Sequence, residues 1–403
     1  MLTPEEQLHI IKSGTDKVVP ESLLLEKLKR GEQLNIKLGV DPTAPDIHLG
    51  HAVPLRKLRQ FQDLGHHVTL IIGDGTALIG DPSGRNSTRP QLTREQVAAN
   101  AKTYVDQAFK VLDPEKTTLR YNSEWLLDLN MESLLKLLSN FTVARILERD
   151  DFHKRYTGGQ PIALHEFLYP VMQAYDSVVI KADVEIGGSD QLFNLLAGRE
   201  LMEKMGMEPQ VALTLPLLEG TDGVQKMSKS YGNYIGLTDE PNDMFGKVMS
   251  IPDELMVKYY RLASTEDVDE IDRIEAGLAA DELHPNKVKR ALARNIVSAY
   301  YDEAAAQAAE ADFDLKFKEH GFPEDAPTFA ADLTPGEDGS VYFAKLLVEG
   351  GCARSVSDAR RLIDGGGVKL NGEVVASKSY NLPAESLVAA EIQVGKKKFL
   401  RLV

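Results

Sequence analysis

The sequence predicts an α/β protein in which a parallel-sheet domain comes first, a helical domain follows, and a small α+β domain ends the chain. Strand, loop, helix and strand patterns recur in the first half, as they do in parallel sheets. Helical patterns without convincing strands run from about residue 242 to 311. The net charge then changes sign near residue 341. Because 403 residues are too many for one ordinary core, we expect two or three domains.

The first recurring pattern lies near the amino end. Alternating apolar and polar residues at 34–40 predict a strand, and the proline-containing segment 41–46 ends it. An amphipathic helix follows at about 47–64 and stops at Gly65. The apolar run 68–72 is typical of a buried parallel strand. This order makes a βαβ unit, whose loop is where an open α/β sheet binds its ligand.

A second unit of the same kind lies further along the chain. Residues 183–186 predict a strand, Gly187 and Gly188 follow it, a helix covers about 189–205, and a strand resumes at 211–215. Between the two units the patterns are mostly helical, which predicts an insertion into the sheet domain. The predicted boundaries are 1–235 for the sheet domain with its helical insertion at about 95–180, 236–320 for the helical domain, 321–340 for a linker and 341–403 for the last domain.

The charge distribution supports these boundaries. The chain has 46 Lys and Arg against 61 Asp and Glu, a formal charge of −15 that argues against a protein that simply coats nucleic acid. Residues 341–403 hold ten basic and six acidic side chains, or +4, which leaves −19 for residues 1–340. Residues 302–340 hold eleven acids, two lysines and three prolines, a composition typical of a linker, although 304–311 could complete a helix.

Several classes of protein are excluded by composition. The single cysteine, Cys352, rules out an internal disulfide framework and any zinc site with several cysteines, and it has no chemical role that we can assign. No apolar run approaches the roughly 18 to 20 residues that span a bilayer. The amino end lacks the basic and apolar regions of a signal peptide, so we expect a cytoplasmic protein without a membrane partner.

A pair of histidines opens the first predicted helix. In His48-Leu49-Gly50-His51 the imidazoles are three residues apart and therefore lie on one helix face. A helix amino end offers free N–H groups to phosphate, and Gly50 lets a flat ligand such as a purine approach the backbone. Taken alone, such a pair is more often a surface or core feature, and metal binding is a weaker alternative.

A lysine-rich segment follows the strand at 211–215. Lys226-Met227-Ser228-Lys229-Ser230 suits a mobile loop that closes over a polyphosphate, whereas a solvated turn is the simpler interpretation of the pentapeptide alone. The glycine segment 80–84 is too short to be a Walker-type phosphate loop.

Together the two motifs, about 175 residues apart, resemble the class I aminoacyl-tRNA synthetases, most closely the bacterial tyrosyl-tRNA synthetases, over nearly the whole chain. This resemblance implies a Rossmann-like catalytic domain. Four shorter stretches support it: Gly39-Val-Asp41-Pro-Thr43, Gly80-Asp81-Pro-Ser-Gly84, Tyr169-x-x-x-Gln173-x-x-Asp176 and Gly187-Gly-Ser-Asp190-Gln191.

The resemblance implies a tyrosine site. Asp176 would accept a hydrogen bond from the substrate hydroxyl, Tyr169, Gln173 and Asp81 would hold the ammonium group, and Gln191 would face the carboxylate. Independently, positions 169, 173 and 176 share one face of a helix, where ordinary packing or a helix-end charge is the alternative. An unpaired buried Asp176 would reject phenylalanine, an effect for which tyrosyl-tRNA synthetases are the usual illustration.

The resemblance also implies an ATP site and a two-step reaction. The phosphates would meet four catalytic donors, His48, His51, Lys226 and Lys229. The remaining ATP-binding positions would be Gly39, Asp41, Gly50, Gly187, Ser228 and the ribose ligand Asp190, which could instead cap a helix. Tyrosyl-adenylate would form first, and its tyrosyl group would pass to the 3′ end of tRNA(Tyr). ATP as a substrate with Mg²⁺ is expected, with no tightly bound cofactor.

The tail has its own resemblance. Residues 353–363 and 366–373 are similar to the S4-type RNA-binding module, in which a short basic helix precedes a Gly-Val-Lys-x-Asn-Gly turn between strands. A solvated basic helix is the alternative. The implied RNA-binding residues are Arg354, Ser357, Arg360, Arg361, Lys369 and Asn371.

Two positions depart from expectation, and three rival functions stay open. Lys37 occupies the place of a tyrosine that many family members have in the first strand, and Pro54 should kink the first helix. A homodimer formed through the helical insertion is implied by resemblance only. The rivals are a tryptophanyl-type synthetase, a non-catalytic RNA-binding or regulatory paralogue, and another nucleotidyltransferase.

Overall fold

The computed structural model describes residues 2–42, 47–81, 93–317, 322, 326–336, 339–395 and 398–403. Residues 43–46 and 82–92 lie outside the described residues. They include Thr43 of the stretch 39–43 and Gly84 of the stretch 80–84. The chain forms two compact units, residues 1–306 and 307–403. Within the described part, no helix has both the length and the apolar composition needed to span a membrane.

A six-stranded sheet organises the first unit. Its spatial order is β1-β6-β5-β2-β3-β4, with β1 antiparallel to β6 and every other pair parallel. The strands are β1 Lys17–Val19, β2 Asn35–Val40, β3 His67–Ile72, β4 Thr117–Tyr121, β5 Val184–Gly188 and β6 Val211–Leu215. The four strands predicted from sequence are β2, β3, β5 and β6, and all four are confirmed. The parallel-sheet fold class is confirmed with them.

The strand order places the ligand crevice. β2 lies between β3 on one side and β5 on the other, so the chain changes direction across the sheet at this point. In open α/β sheets the ligand binds beyond the carboxyl ends of the strands at such a switch point. The residues that follow β2 and β5 therefore lie at the expected site.

Helices cover the sheet. Helix α3 starts one residue after His48, as the paired-histidine motif predicts, and it continues past Pro54, so the predicted kink stays a prediction. The helices of the first unit are α1 Pro4–Lys12, α2 Glu21–Lys29, α3 Leu49–Asp63, α4 Arg94–Ala108, α5 Ser123–Leu126, α6 Met131–Leu138, α7 Val143–Ile146, α8 Asp150–Thr157, α9 Leu168–Ile180, α10 Leu192–Lys204, α11 Pro241–Met249, α12 Met256–Ala263, α13 Val268–Ala279 and α14 Pro285–Tyr300.

The segment predicted to be a helical insertion is mostly helical but includes one sheet strand. Strand β4 pairs with β3 along its whole length. Its sequence, Thr-Thr-Leu-Arg-Tyr, lacks the apolar run of a buried strand because it lies at the sheet edge and is only partly covered. Helices α11 to α14 belong to the same compact unit as the sheet, so the division at residue 235 stays a prediction.

The second unit is a small α+β domain. A helix α15, Glu303–Phe317, leads into it and completes the helical pattern at 304–311. A five-stranded sheet has the order β10-β9-β12-β13-β7, and β11 pairs with β8. The elements are β7 Thr328–Phe329, β8 Ser340–Tyr342, α16 Phe343–Glu349, α17 Val356–Asp364, β9 Val368–Leu370, β10 Glu373–Val374, β11 Asn381–Pro383, β12 Glu391–Val394 and β13 Lys398–Leu402.

A separate core holds this unit together. Phe343 and Leu347 of α16, Ile363 of α17 and Ile392 of β12 are all fully buried in it. Strand β7 falls within the segment predicted to be a linker, and it pairs in parallel with β13. Part of that acidic segment is therefore an integral strand of the domain.

Candidate active site

Backbone pairing brings the histidine and lysine motifs together. The Leu49 N–H donates to the Ile235 carbonyl at 2.9 Å, and the Leu237 N–H donates to the Ile47 carbonyl at 3.2 Å. Buried Met227, inside the lysine motif, accepts a hydrogen bond from the Gly50 N–H to its sulfur at 3.4 Å. Motifs far apart in sequence thus share one end of the sheet, as predicted.

The two histidine rings stack at the start of α3. Their centroids are 3.8 Å apart with an interplanar angle of 20°. His48 is buried, whereas His51 keeps an exposed edge in the cleft. A Cβ atom on Gly50 would come within 3.1 Å of the His48 ring, a tight contact that a larger residue could make only if the ring shifted.

The surroundings keep both histidines neutral. Burial, with the neighbouring His51 and the positive charge of Lys229, lowers the pKa of His48 to about 3. Desolvation by the cleft walls and the charges of Lys229 and Lys226 lower the pKa of His51. At pH 7 these rings therefore act as hydrogen-bonding groups, and the positive charge in this region comes from the lysines.

The lysine loop is organised by Asn233 and Asp222, which sequence analysis did not single out, and by Ser228, which it did. Asn233 accepts from the Ser228 N–H at 2.8 Å and donates to Asp222 at 2.9 Å. The Ser228 hydroxyl caps the short 3₁₀ turn Lys229–Tyr231 that follows it. Lys226 and Lys229 stay exposed, which leaves their ammonium groups able to reach a polyphosphate.

Two adjoining cavities lie beyond the carboxyl ends of β2 and β5. The larger, of about 390 Å³, is next to the histidine helix, and Gly50, His51, Asp81 and Asp190 line it. The smaller, of about 240 Å³, lies against α9. Both share Val40, Asp41 and Asp81, so carboxylates mark the junction between them. The smaller cavity is also lined by Gly39, Gly73, Thr76, Asn122, Tyr169, Gln173, Asp176, Gly187 and Gln191.

Asp176 is a buried acceptor held by two residues that the sequence analysis missed. The Trp125 indole N–H donates to its Oδ1 at 2.8 Å, and the Asn122 amide donates to its Oδ2 at 3.2 Å. Burial raises the pKa of Asp176 to about 6, while the Lys37 charge and these two donors act in the opposite direction. A polar hydrogen of a ligand in the smaller cavity would find an ionised acceptor here at neutral pH.

Asp41, which the resemblance implies as an ATP-binding residue, also belongs to the smaller cavity. Its Oδ2 accepts from the Tyr169 hydroxyl at 3.0 Å, and its Oδ1 accepts from the Thr76 hydroxyl at 2.8 Å. Burial, with the charges of Asp81 and Asp176, raises the pKa of Asp41 to about 7. Asp41 therefore adds a third carboxylate to the smaller cavity, a composition that suits a ligand ammonium group.

The remaining predicted substrate residues lie in the same place. Tyr169, Gln173 and Asp176 share the cavity face of α9, as their spacing predicts. The Gln191 amide donates to Asp81 Oδ2 at 2.9 Å. A Cβ atom on Gly187 would meet the Gln191 side chain at 3.0 Å, so a larger residue there would press on Gln191.

The described residues contain no preformed metal site. Among the described residues, no group of three or more His, Cys, Asp and Glu side chains is placed to hold a metal ion.

In the second unit, the predicted RNA-binding residues lie on α17 or just before it, in β9, and in the β9–β10 turn. Arg354, Ser357, Arg360, Arg361 and Asn371 are exposed, and Lys369 is half-buried. The Arg360 guanidinium lies over the Tyr380 ring at 4.9 Å from its centroid. The Asn371 side chain accepts from the Glu391 N–H at 2.8 Å, so this residue also has a structural role.

The chain belongs to the class I tRNA synthetases. Residues 29–318 match the family described as "tRNA synthetases class I (W and Y)", and residues 343–388 match the S4 domain. The matches agree with the parallel sheet, the paired histidines and the lysine loop described above.

Within this class, the similar curated proteins are tyrosine–tRNA ligases. The protein of Aquifex aeolicus is 53% identical over 402 residues, covering 100% of both chains. That of Thiobacillus denitrificans is 54% identical over 398 residues, covering 99% of both. The tyrosyl-tRNA synthetase of Archaeoglobus fulgidus, solved with L-tyrosine, is 23% identical with a TM-score of 0.60, covering 76% of this chain and 99% of that one, and supports the fold alone.

Proposed function

We propose that the protein activates L-tyrosine with ATP and transfers the tyrosyl group to the 3′ end of tRNA(Tyr), in the cytoplasm. The observation that carries this proposal is the buried carboxylate of Asp176, held by Trp125 and Asn122, in a cavity that adjoins the histidine-lined one. An aromatic side chain with a hydroxyl would fill the smaller cavity and donate to Asp176. A chain without the hydroxyl would leave that carboxylate unpaired.

The first step needs positioning more than covalent chemistry. The tyrosine carboxylate oxygen attacks the α-phosphorus of ATP, and the bond from that phosphorus to pyrophosphate breaks. Asp41, Asp81 and Gln191 lie around the junction of the two cavities, where the carboxylate and the α-phosphate would meet. His51 and the lysines Lys226 and Lys229 would donate to the departing phosphates, which gain negative charge.

ATP would carry Mg²⁺ on its phosphates. Since no group of three or more acidic, histidine or cysteine side chains in the described part is placed to hold a metal, the ion would take its ligands mainly from phosphate oxygens and water.

The second step brings in tRNA. The 3′-terminal ribose would attack the activated carbonyl and release AMP, while the S4 domain would hold the RNA elsewhere. The exposed arginines on α17, with Lys369 of β9, offer cations to phosphates but do not read the base sequence.

We also propose that two copies associate through the helical region between α5 and α9. Large apolar side chains there are more than half exposed, which is unusual for a face in contact with water only. They are Leu127, Met131, Leu135, Val143, Tyr156 and Leu164. Light scattering tests this proposal, because a monomeric mass at micromolar concentration would contradict it.

Pyrophosphate exchange into ATP, measured with each of the twenty amino acids, tests the proposed activation step. We expect exchange with tyrosine, and exchange with phenylalanine weaker by about four orders of magnitude, because Asp176 would be left unpaired. Exchange driven by tryptophan would indicate the tryptophanyl alternative, and exchange with none would indicate a non-catalytic paralogue.

A further inference from the structure

Lys37 and Glu185 form a buried ion pair behind Gln173, which lines the smaller cavity. Both side chains are at most 1% exposed, and Lys37 Nζ lies 2.8 Å from Glu185 Oε1. The ammonium group also donates to the backbone carbonyl of Gln173 at 2.9 Å and to the Ser177 hydroxyl at 2.7 Å. These contacts use all three of its donors. Lys37 therefore contacts α9 on either side of Asp176 along the chain.

We propose that the Lys37–Glu185 pair is a positioning device that fixes which end of the Gln173 side-chain amide faces the cavity. In doing so it selects an amino acid with a free ammonium group. This inference rests on the tyrosine site proposed above.

The orientation of Gln173 follows from charge. Glu185 Oε1 lies against the Lys37 ammonium group, and a carboxylate oxygen in such a pair accepts hydrogen bonds. The Gln173 Nε2 group therefore points to Glu185 Oε1, at 3.1 Å. Its carbonyl Oε1 is left as an acceptor, and Asn194 Nδ2 donates to it at 3.0 Å.

The same chain of amides is fixed at its other end. Asn194 Nδ2 also donates to Gln191 Oε1 at 2.9 Å, and Gln191 Nε2 donates to Asp81 Oδ2 at 2.9 Å. Asn194 Oδ1 accepts from Arg149 at 3.3 Å. Each amide between Glu185 and Asp81 therefore satisfies its partners in one orientation only.

This arrangement gives the cavity its preference. Gln173 lines the same cavity as Asp41 and Asp81, so its Oε1 adds an acceptor to their carboxylates, and an ammonium group brings three donors. Without Lys37, Glu185 Oε1 would lose the cation that holds it beside Gln173 Nε2, and the amide could turn at the expense of its hydrogen bond from Asn194. Its NH₂ group would then take the place of an acceptor and oppose the ligand ammonium.

Calorimetric binding of two ligands to variants of the full-length protein tests the inference. The ligands are L-tyrosine and 3-(4-hydroxyphenyl)propionate, which lacks only the ammonium group. We expect Lys37→Met to weaken tyrosine binding about ten- to hundredfold and binding of the propionate less than about threefold. Glu185→Gln keeps the side-chain volume and should change the same ratio in the same direction, even if Lys37→Met folds poorly.

Lys27→Met is the matched control. Lys27 is also buried and paired, with Asp183 at 2.7 Å just before β5, but it does not line the cavity. We expect a lower melting temperature for this variant with an unchanged ratio of the two affinities.

An equal loss of affinity for both ligands in Lys37→Met and Glu185→Gln would overturn the inference, because it would indicate a structural role only. Absence of tyrosine binding by the unaltered protein would instead contradict the proposed function.

Discussion

Buried acidic side chains give the smaller cavity its chemistry. Asp41 and Asp176 are both desolvated, and the pKa of each is raised, to about 7 and about 6. Each nevertheless accepts two hydrogen bonds from fixed donors, which favours the ionised form. Asp176 is therefore mostly ionised at neutral pH, whereas Asp41 is close to half-protonated, and a bound ammonium group would lower the pKa of Asp41.

Tyrosine binding should consequently weaken in acid. As the pH falls from about 8 to 5.5, Asp41 takes up a proton first and Asp176 next, since the pKa of each is raised rather than lowered. A protonated Asp41 no longer attracts the ammonium group, so we expect the KM for tyrosine to rise about tenfold or more. Pyrophosphate exchange at a series of pH values measures it.

The variant Asp41→Asn is the control for this pH dependence of the KM for tyrosine. It should have a higher KM at pH 8 and lose the inflection near pH 7. A KM for tyrosine that is constant from pH 8 to 5.5 in the unaltered protein would contradict the assignment of these carboxylates to the site. His48, with its pKa lowered to about 3, stays neutral over the same interval.

At the scale of elements, the sequence was most informative where apolar runs or turn residues determine the structure. Strands β2, β3, β5 and β6 were predicted because a buried parallel strand is apolar or alternating. Strand β4 was missed because an edge strand needs no such run. Asn122 and Trp125 follow β4 directly, so missing that strand also hid the two donors to Asp176.

Side-chain contacts between distant segments could not be predicted either. Nothing in the local sequence of Lys37 shows that Glu185 lies 2.8 Å away. The motif residues were found because their spacing on one helix or loop is itself informative. Their partners are distant in sequence and are determined by the packing of α9 and α10 against the sheet.

A single substitution tests how the backbone of the β9–β10 turn contributes to stability. Asn371 and Gly372 have φ angles of 49° and 86°, as a tight turn requires, and a Cβ atom on Gly372 would have open space. Gly372→Ala should therefore cost about 1 kcal/mol of unfolding free energy through backbone strain alone. Denaturant unfolding of the variant measures it, and tRNA charging should weaken while pyrophosphate exchange does not.

Gly246 in α11 offers a control with the opposite sign. A Cβ atom there also meets open space, but the backbone is helical. Gly246→Ala should therefore stabilise the protein by up to about 1 kcal/mol. If both variants changed stability in the same direction, backbone strain would not explain the turn.

On the scale of the whole molecule, charge is divided between the parts of the chain. Residues 341–403 carry +4, and the rest of the chain carries −19. The acidic part would repel RNA at long range, so attraction depends on local basic groups. The S4 domain supplies such groups and has its own core.

Deleting residues 341–403 should therefore separate the two steps. We expect tyrosine-dependent pyrophosphate exchange to stay within about twofold and kcat/KM for tRNA charging to fall at least about tenfold, as phosphate contacts are lost. Raising the salt concentration should reduce charging by the full-length protein more steeply than by the deletion variant. Undiminished charging at ordinary tRNA concentration would show that the tail is not a main RNA contact.

The pairing of residues 235–237 with 47–49 has a further consequence for how the chain can vary. This pairing holds the carboxyl end of the lysine loop against the start of α3, while Lys258 and Tyr259 of α12 hold its beginning at Glu219. The connection between α13 and α14, residues 280–284, is exposed, so it can lengthen or accept insertions without changing these contacts. Natural and engineered changes in length should therefore be tolerated there, and those between Glu219 and Ile235 should be rare.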